Sequence, residues 1–172
     1  MDWFLEQARL GNLFRACNQA GATVTLINTS TATGFILSNP FGSGKKLVLR
    51  DANFSYTTVP VATAVLFLAQ SIAPHTTSVV HTTPLGVYDA DGGGVSSHSI
   101  ARVDSSATTP NLPVYSRILG YSPTTPATTG GLTFTDYING AMVLVPGTYV
   151  QISYITTAPV GITSMTWAEV DV

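Results

Sequence analysis

Charge is what this sequence has least of. Asp, Glu, Lys and Arg together make up 9% of its 172 residues, against the ~25% usual in soluble domains. Seven Lys and Arg against nine Asp and Glu leave a formal net charge of -2. Lys45, Lys46 and Arg50 are the only local basic cluster. The cationic stripe that a nucleic-acid backbone demands is missing, so nucleic acid is not an expected partner. Glu6 and Glu169 are the only glutamates and lie at opposite ends of the chain, which gives no hint of the facing carboxylates of a glycosidase. The single cysteine, Cys17, has no internal disulfide partner and no metal-ligand spacing around it; it reads as a small buried apolar side chain, suited to a reducing cytoplasm. The longest apolar stretch, Val59 to Ala69, contains Pro60 and falls far short of the ~20 residues of a membrane helix. The opening Met-Asp-Trp-Phe-Leu-Glu lacks the basic start and apolar run of a secretion signal. Neither membrane nor export is expected.

What replaces charge is the hydroxyl group. The chain holds 25 Thr and 15 Ser. Thr is β-branched and fits a pleated, half-buried surface. A solitary domain usually stays soluble through charge. So poorly charged a chain is most easily explained if partners cover much of its surface, and weak self-repulsion favours the packing of many copies. The length suits one domain with a sizeable core.

The pattern along the chain changes once. Residues 1–20 read as an arm: Asp2 caps a short helix carrying Trp3, Phe4, Leu5, Ala8 and Leu10, Gly11 stops it, and Leu13 and Phe14 follow. Its apolar residues fall on more than one face, so it must tuck into its own domain or dock on a neighbour. From 21 to 172 the period is two, as in strands. Strands are expected over Thr23–Ile27, Thr33–Ser38, Lys45–Tyr56 (with a bulge at Asp51–Asn53), Val61–Gln70 (covered on both faces), Ser78–Thr82, Leu85–Tyr88, Ser97–Val103, Val114–Tyr121, Leu132–Ile138 and Ser164–Val170. Ser105–Pro113 and the Pro- and Thr-rich Ser122–Gly131 read as loops. Ala141–Val145 and Thr148–Thr156, joined by Pro146-Gly147, read as a hairpin. Eight to ten short strands predict an all-β, jelly-roll-like β-sandwich.

Motifs for chemistry are weak. Gly42-Ser43-Gly44-Lys45-Lys46 has neither the first glycine nor the Ser or Thr of a phosphate loop, and a strand follows it. Asp89-Ala90-Asp91-Gly92-Gly93-Gly94 starts like a calcium loop, but Ile100 stands where the late carboxylate belongs; a turn is expected, with a weak cation site at Asp89 and Asp91 as the rival. His75, His81 and His98 lack zinc-type spacing and read as hydrogen-bonded structural histidines. Ser97, His98 and Asp104 are the nearest approach to a catalytic set, without a glycine-flanked nucleophile turn. No enzyme, catalytic residue, cofactor or metal is expected. Trp167 reads as a core residue. The arm's Trp3, Phe4, Leu5, Leu10, Leu13 and Phe14 are the candidate interface, aromatic anchors being typical of such surfaces.

Several segments resemble one family. They are Gly11-Asn12-Leu13-Phe14 with Cys17-Asn18-Gln19-Ala20-Gly21, Leu37-Ser38-Asn39-Pro40, Gly42 to Leu49, His81-Thr82-Thr83-Pro84-Leu85, Gly92 to Gly94, Leu112-Pro113-Val114, Pro146-Gly147-Thr148-Tyr149-Val150 and Trp167-Ala168-Glu169-Val170. In this order they are similar to virion structural proteins of tailed bacteriophages, of the short-tailed cyanophage type. The resemblance implies a jelly-roll-like subunit, commonly a homotrimer, that decorates or cements the capsid. Its partners would be itself and the major capsid protein, and its location the capsid surface after assembly in the host cytoplasm. A trimeric tail or head-fibre component is the alternative, binding host glycans through Tyr88, Tyr121, Asp89 and Asp91. A secreted trimeric ligand of the tumour-necrosis-factor kind is disfavoured by the missing signal and disulfide. On this reading, deletion of residues 1–20 leaves a folded domain that no longer assembles.

Overall fold

The computed structural model describes residues 2–26, 29–58, 62–77, 79–92, 94–122 and 132–172. Among these, one helix and fourteen strands form two packed sheets. Helix α1 (Trp3–Arg9) precedes β1 (Leu13–Cys17), the short β2 (Ala22–Thr23) and β3 (Thr25–Leu26), then β4 (Thr31–Ser38), β5 (Lys45–Tyr56) and β6 (Ala64–Gln70). An insertion carries β7 (Val80–Leu85), β8 (Tyr88–Asp89) and β9 (Arg102–Thr108). The chain returns through β10 (Val114–Ser122), β11 (Thr133–Tyr137), β12 (Val143–Leu144), β13 (Tyr149–Thr156) and β14 (Val160–Asp171).

The long strands pair in nested order: β1 with β14, β4 with β13, β5 with β11 and β6 with β10, all antiparallel. This is one ribbon folded back between β6 and β10. Rolling it places alternate pairs in alternate layers, giving the order β11-β5-β14-β1-β8 in the first sheet and β10-β6-β13-β4-β9-β7 in the second. Nested pairing in alternate layers is the double Greek key of a jelly roll. The expected all-β sandwich is therefore the fold.

Alternation builds the core. Leu47, Leu49, Ala52, Phe54 and Tyr56 of β5 point inward, as do Met165 and Trp167 of β14. Phe14, Phe35, Leu66 and Leu68 complete it. One bulge interrupts β5: Leu49 faces Trp167 and Asp51 faces Thr166, so Arg50 is the additional residue. The irregularity thus lies just before Asp51–Asn53, and it turns Arg50 and Asp51 to the same outer side.

The insertion covers the sandwich on one flank. Strand β9 pairs with β4, β7 pairs with β9, and β8 pairs with β1. The opposite flank is closed between β10 and β11. There Arg117 donates to both oxygens of Asp136, at 2.7 and 2.9 Å, and the Phe134 ring lies where a Cβ on Gly120 would sit, 2.4 Å away.

Several expectations change. In place of strands over Ser78–Thr82 and Leu85–Tyr88, β7 runs Val80–Leu85, and the short β8 takes only Tyr88 of the second span. Ala141–Val145 and Thr148–Thr156 are not a hairpin: Val143 and Leu144 pair with β5 in the first sheet, while Tyr149–Thr156 joins the second. The Pro146-Gly147 turn carries the chain between layers, with Gly147 at φ +84 and its N–H on the Asn39 carbonyl at 2.9 Å. The strand expected over Ser97–Val103 begins only at Arg102, and Ser105–Thr108, expected as loop, continues it. Strand β6 is fully covered on its core face and half covered on the other. The arm is divided: α1 and the turn at Gly11 are as expected, but Leu13–Cys17 is a full strand between β14 and β8. Deleting residues 1–20 would remove an inner strand, so the excision would not leave this fold intact. Val59–Val61, Ile27, Ser78, Gly93 and residues 123–131 of the Ser122–Gly131 loop lie outside the described residues.

The division of the arm is testable by denaturation. Phe14, 1% exposed, should cost about 3–5 kcal/mol when replaced by Ala. Leu10, 63% exposed, should change stability by less than about 0.5 kcal/mol. Equal effects would mean that β1 is not part of the sheet in solution.

Candidate functional site

The six candidate interface residues separate into two groups. Phe4, Leu13 and Phe14 are buried in the chain's own body. Phe4 packs with Leu13 and Ala168, against Val48 and Ala90, and so pins α1 to the outer face of the first sheet. Its amide donates to the Asp2 carboxylate at 3.0 Å, the cap expected from the sequence. Trp3, Leu5 and Leu10 remain exposed. Between α1 and the sheet runs a cleft of about 400 Å³ whose walls include Leu5 and Leu13 and two cations, Arg15 and Arg50. Arg15 sits opposite Thr166, and the bulge places Arg50 beside the same residue.

A second apolar surface lies on the opposite side of the molecule. Two register shifts interrupt β10, one between Tyr115 and Arg117 and one between Ile118 and Gly120. Each adds a residue, so the outward positions recur every third residue instead of every second. Tyr115 comes to lie beside Ala69, Ile118 beside Phe67 and Tyr121 beside Val65, with Ile155 of β13 next in the last row. The Tyr115 and Phe67 rings contact one another, centroids 4.1 Å apart. Ile118 is 69% exposed and Tyr121 55%. The first sheet's outer face carries a polar stretch, with Ser55 and Thr133 hydroxyls 3.0 Å apart and Asn53 donating to Asp51 and Ser164.

Carboxylates form the other organised feature. Glu169 is 3% exposed and faces inward from β14. It accepts from the Ser99 hydroxyl at 2.6 Å, the Ile100 and Ala101 amides at 3.0 and 3.2 Å, and the Trp167 indole N–H at 3.3 Å. Four donors on one buried carboxylate make a strong anchor. They also explain why residues 97–101 do not extend as a strand: the Ile100 and Ala101 amides are taken by a side chain. Asp104 is fully buried and bonded to Nδ1 of His81. His98 places Nε2 at 3.1 Å from the Gly11 carbonyl and 3.8 Å from Asp89. The structure therefore gives Asp104 to His81, so Ser97, His98 and Asp104 are not linked as a relay. Asp89 closes a turn through its amide and the Gly94 carbonyl, at 3.1 Å. Among the described residues, no three His, Cys, Asp or Glu side chains gather around a common metal position. Asn39 donates to the Lys45 and Leu144 carbonyls and accepts from Ser43, which makes Gly42 to Lys45 a structural turn.

Sequence patterning missed Glu169 and the β10 surface. Glu169 alternates in phase with Met165 and Trp167, and a charged residue on a core phase was the available signal. The β10 surface had none, since a spacing of three contradicts the strand period.

Two outcomes follow. Glu169→Gln presents an amide N–H to donors, and should cost about 1.5–3 kcal/mol while hydrogen exchange at Ile100 and Ala101 rises; unchanged protection there would show that the carboxylate is not the anchor. Burial pushes the Cys17 thiol above its ordinary pKa, and the thiolate is the reactive form. Alkylation by iodoacetamide at pH 8 should be slower than for free cysteine, and should reach the free rate in urea. Full reactivity in the folded chain would contradict the burial.

Compared with protein-family models, curated proteins and solved structures, the chain matches none.

Proposed function

We propose that this chain is a structural subunit of a tailed-bacteriophage particle, a capsid decoration or cement protein acting as a homotrimer. The observation that carries this reading is the apolar surface of Tyr115, Ile118, Tyr121, Phe67, Val65 and Ile155 on so weakly charged a chain. Contiguous exposed apolar surface marks an interaction site. This face is assigned to self-association.

The helix side supplies the second contact. Exposed Trp3, Leu5 and Leu10, with the cations Arg15 and Arg50 in the cleft beside Leu5, suit an apolar partner edged with carboxylates. That partner is the major capsid protein. A subunit with one apolar surface on each side of its sandwich can hold its sister copies by one and a lattice by the other. Three copies docked together bind multivalently: once one is seated, the others bind at high effective concentration. Preference for the mature lattice stabilises that lattice by mass action.

Light scattering and capsid binding test both faces. The purified chain should be a trimer at micromolar concentration. Ile118→Asp with Tyr121→Ser should give a folded monomer. Trp3→Ser, Leu5→Ser and Leu10→Ser together should leave the trimer intact and abolish binding to expanded heads. A monomeric wild type, or a double variant that still forms trimers, would reject the self-association face. On purified particles the chain should approach the major capsid protein in abundance. A scarce chain would instead favour the tail or head-fibre reading, for which, of the two expected tyrosines, Tyr121 is exposed and Tyr88 half-buried.

A further inference from the structure

We propose that the cavity beside the His81–Asp104 pair binds a single acidic sugar residue, a hexuronate, with its carboxylate on Arg102. The cavity has a volume of about 220 Å³ and opens among the turns at Pro40 and Gly147, beneath Val79 and Pro110. Phe41, Thr77, His81 and Arg102 all line it. It is separate from both apolar contact surfaces and independent of the assembly reading.

Three features define the ligand. First, Arg102 is exposed, and among the described residues no carboxylate pairs with it. An unpaired guanidinium at a cavity wall suits a planar oxyanion, which it can hold through two parallel N–H donors. Second, His81 is oriented. Asp104 accepts at Nδ1, and a carboxylate is an acceptor, so Nδ1 carries the proton and Nε2 is the edge left for a ligand. Nε2 has no partner among the described residues. A ring hydroxyl suits this edge, since it can donate to the neutral ring or accept from the imidazolium. The fixed ring is preorganised, because Asp104 is fully buried and cannot follow a moving partner. Third, Phe41 is 55% exposed at the cavity. An aromatic face at a polar pocket suits the C–H face of a pyranose. Together these select a ligand with one carboxylate, ring hydroxyls and an apolar ring face. A free inorganic anion would use Arg102 alone, and a neutral sugar would leave it unused.

Three of the remaining polar side chains around the cavity are already committed, and Thr77 adds a hydroxyl at its wall. The Ser38 hydroxyl donates to the Arg102 carbonyl, Thr148 to the Val145 carbonyl, and Asn39 to two backbone carbonyls. They form the frame, and specificity rests with Arg102, His81 and Phe41.

Titration of the full chain by NMR and calorimetry tests this with four probes: glucuronate, glucose, acetate and inorganic phosphate. Glucuronate should bind and shift the His81 ring resonances, and the other three should bind at least about tenfold more weakly. Arg102→Gln, at an exposed position, should keep the wild-type melting temperature and lower glucuronate affinity at least about tenfold, the loss expected for one charge-assisted contact. Phe41→Ala should weaken glucuronate and leave acetate unchanged. Equal binding of acetate or phosphate would overturn recognition of the sugar ring. Equal binding of glucose would overturn the role of Arg102. Absence of binding by all four would overturn the site.

Discussion

The Glu169 carboxylate is the constraint on which the flank of the molecule depends. It is buried, it is on the core face of β14, and all four of its donors are in place. Three of those donors belong to residues 99–101, immediately before β9. Holding them fixes where β9 starts, and β9 then pairs with β4 on one side and β7 on the other. His81 of β7 reaches Asp104 of β9 only because that register is set. The cavity at His81 and Arg102 thus rests on a carboxylate contributed by the far end of the chain. A buried charge with incomplete partners would be strongly destabilising; here the partners come from the segment it organises.

The sparse charges are otherwise used as ties between distant segments. Lys45 meets Asp171 at 2.7 Å, joining the start of β5 to the end of β14. Arg117 meets Asp136 across the gap between the two sheets, and this hydrogen-bonded pairing raises the arginine pKa further. Hydroxyls and amides do the remaining polar work, on the outer face of the first sheet and in the turns. The result is a surface with little long-range field, where apolar patches are not opposed by net repulsion.

How much of this was legible in the sequence varies with the period. Strand β5 was read to its observed ends, because Leu47, Leu49, Phe54 and Tyr56 alternate and a glycine turn precedes them. The expected hairpin at Pro146-Gly147 failed because local turn chemistry fixes a reversal but not which sheet each arm joins. That choice is made by partners a hundred residues away, Leu47 for Leu144 and Ser38 for Tyr149. The arm was half legible: its capped helix was read, but Leu13 and Phe14 were expected at an interface, because the partners that bury them, Ala168 and Trp167, lie in the last strand. The Tyr115, Ile118 and Tyr121 surface was illegible, since the two bulges that align it leave no mark in composition.

Those bulges bear on the form of any assembly. Strand β10 is an edge of the second sheet, and a regular edge exposes a ladder of backbone groups to any passing strand. In β10 the two register shifts break that ladder, and Arg117 turns to Asp136 at the rim. Strand-to-strand extension is therefore disfavoured at the same place where apolar side chains are presented. Head-to-tail extension from one sheet edge to the other would run on, whereas association through a side-chain face can close on a rotation axis. The same two irregularities that hid the surface from pattern reading thus steer it away from open fibres, which fits a subunit proposed to work as a closed oligomer.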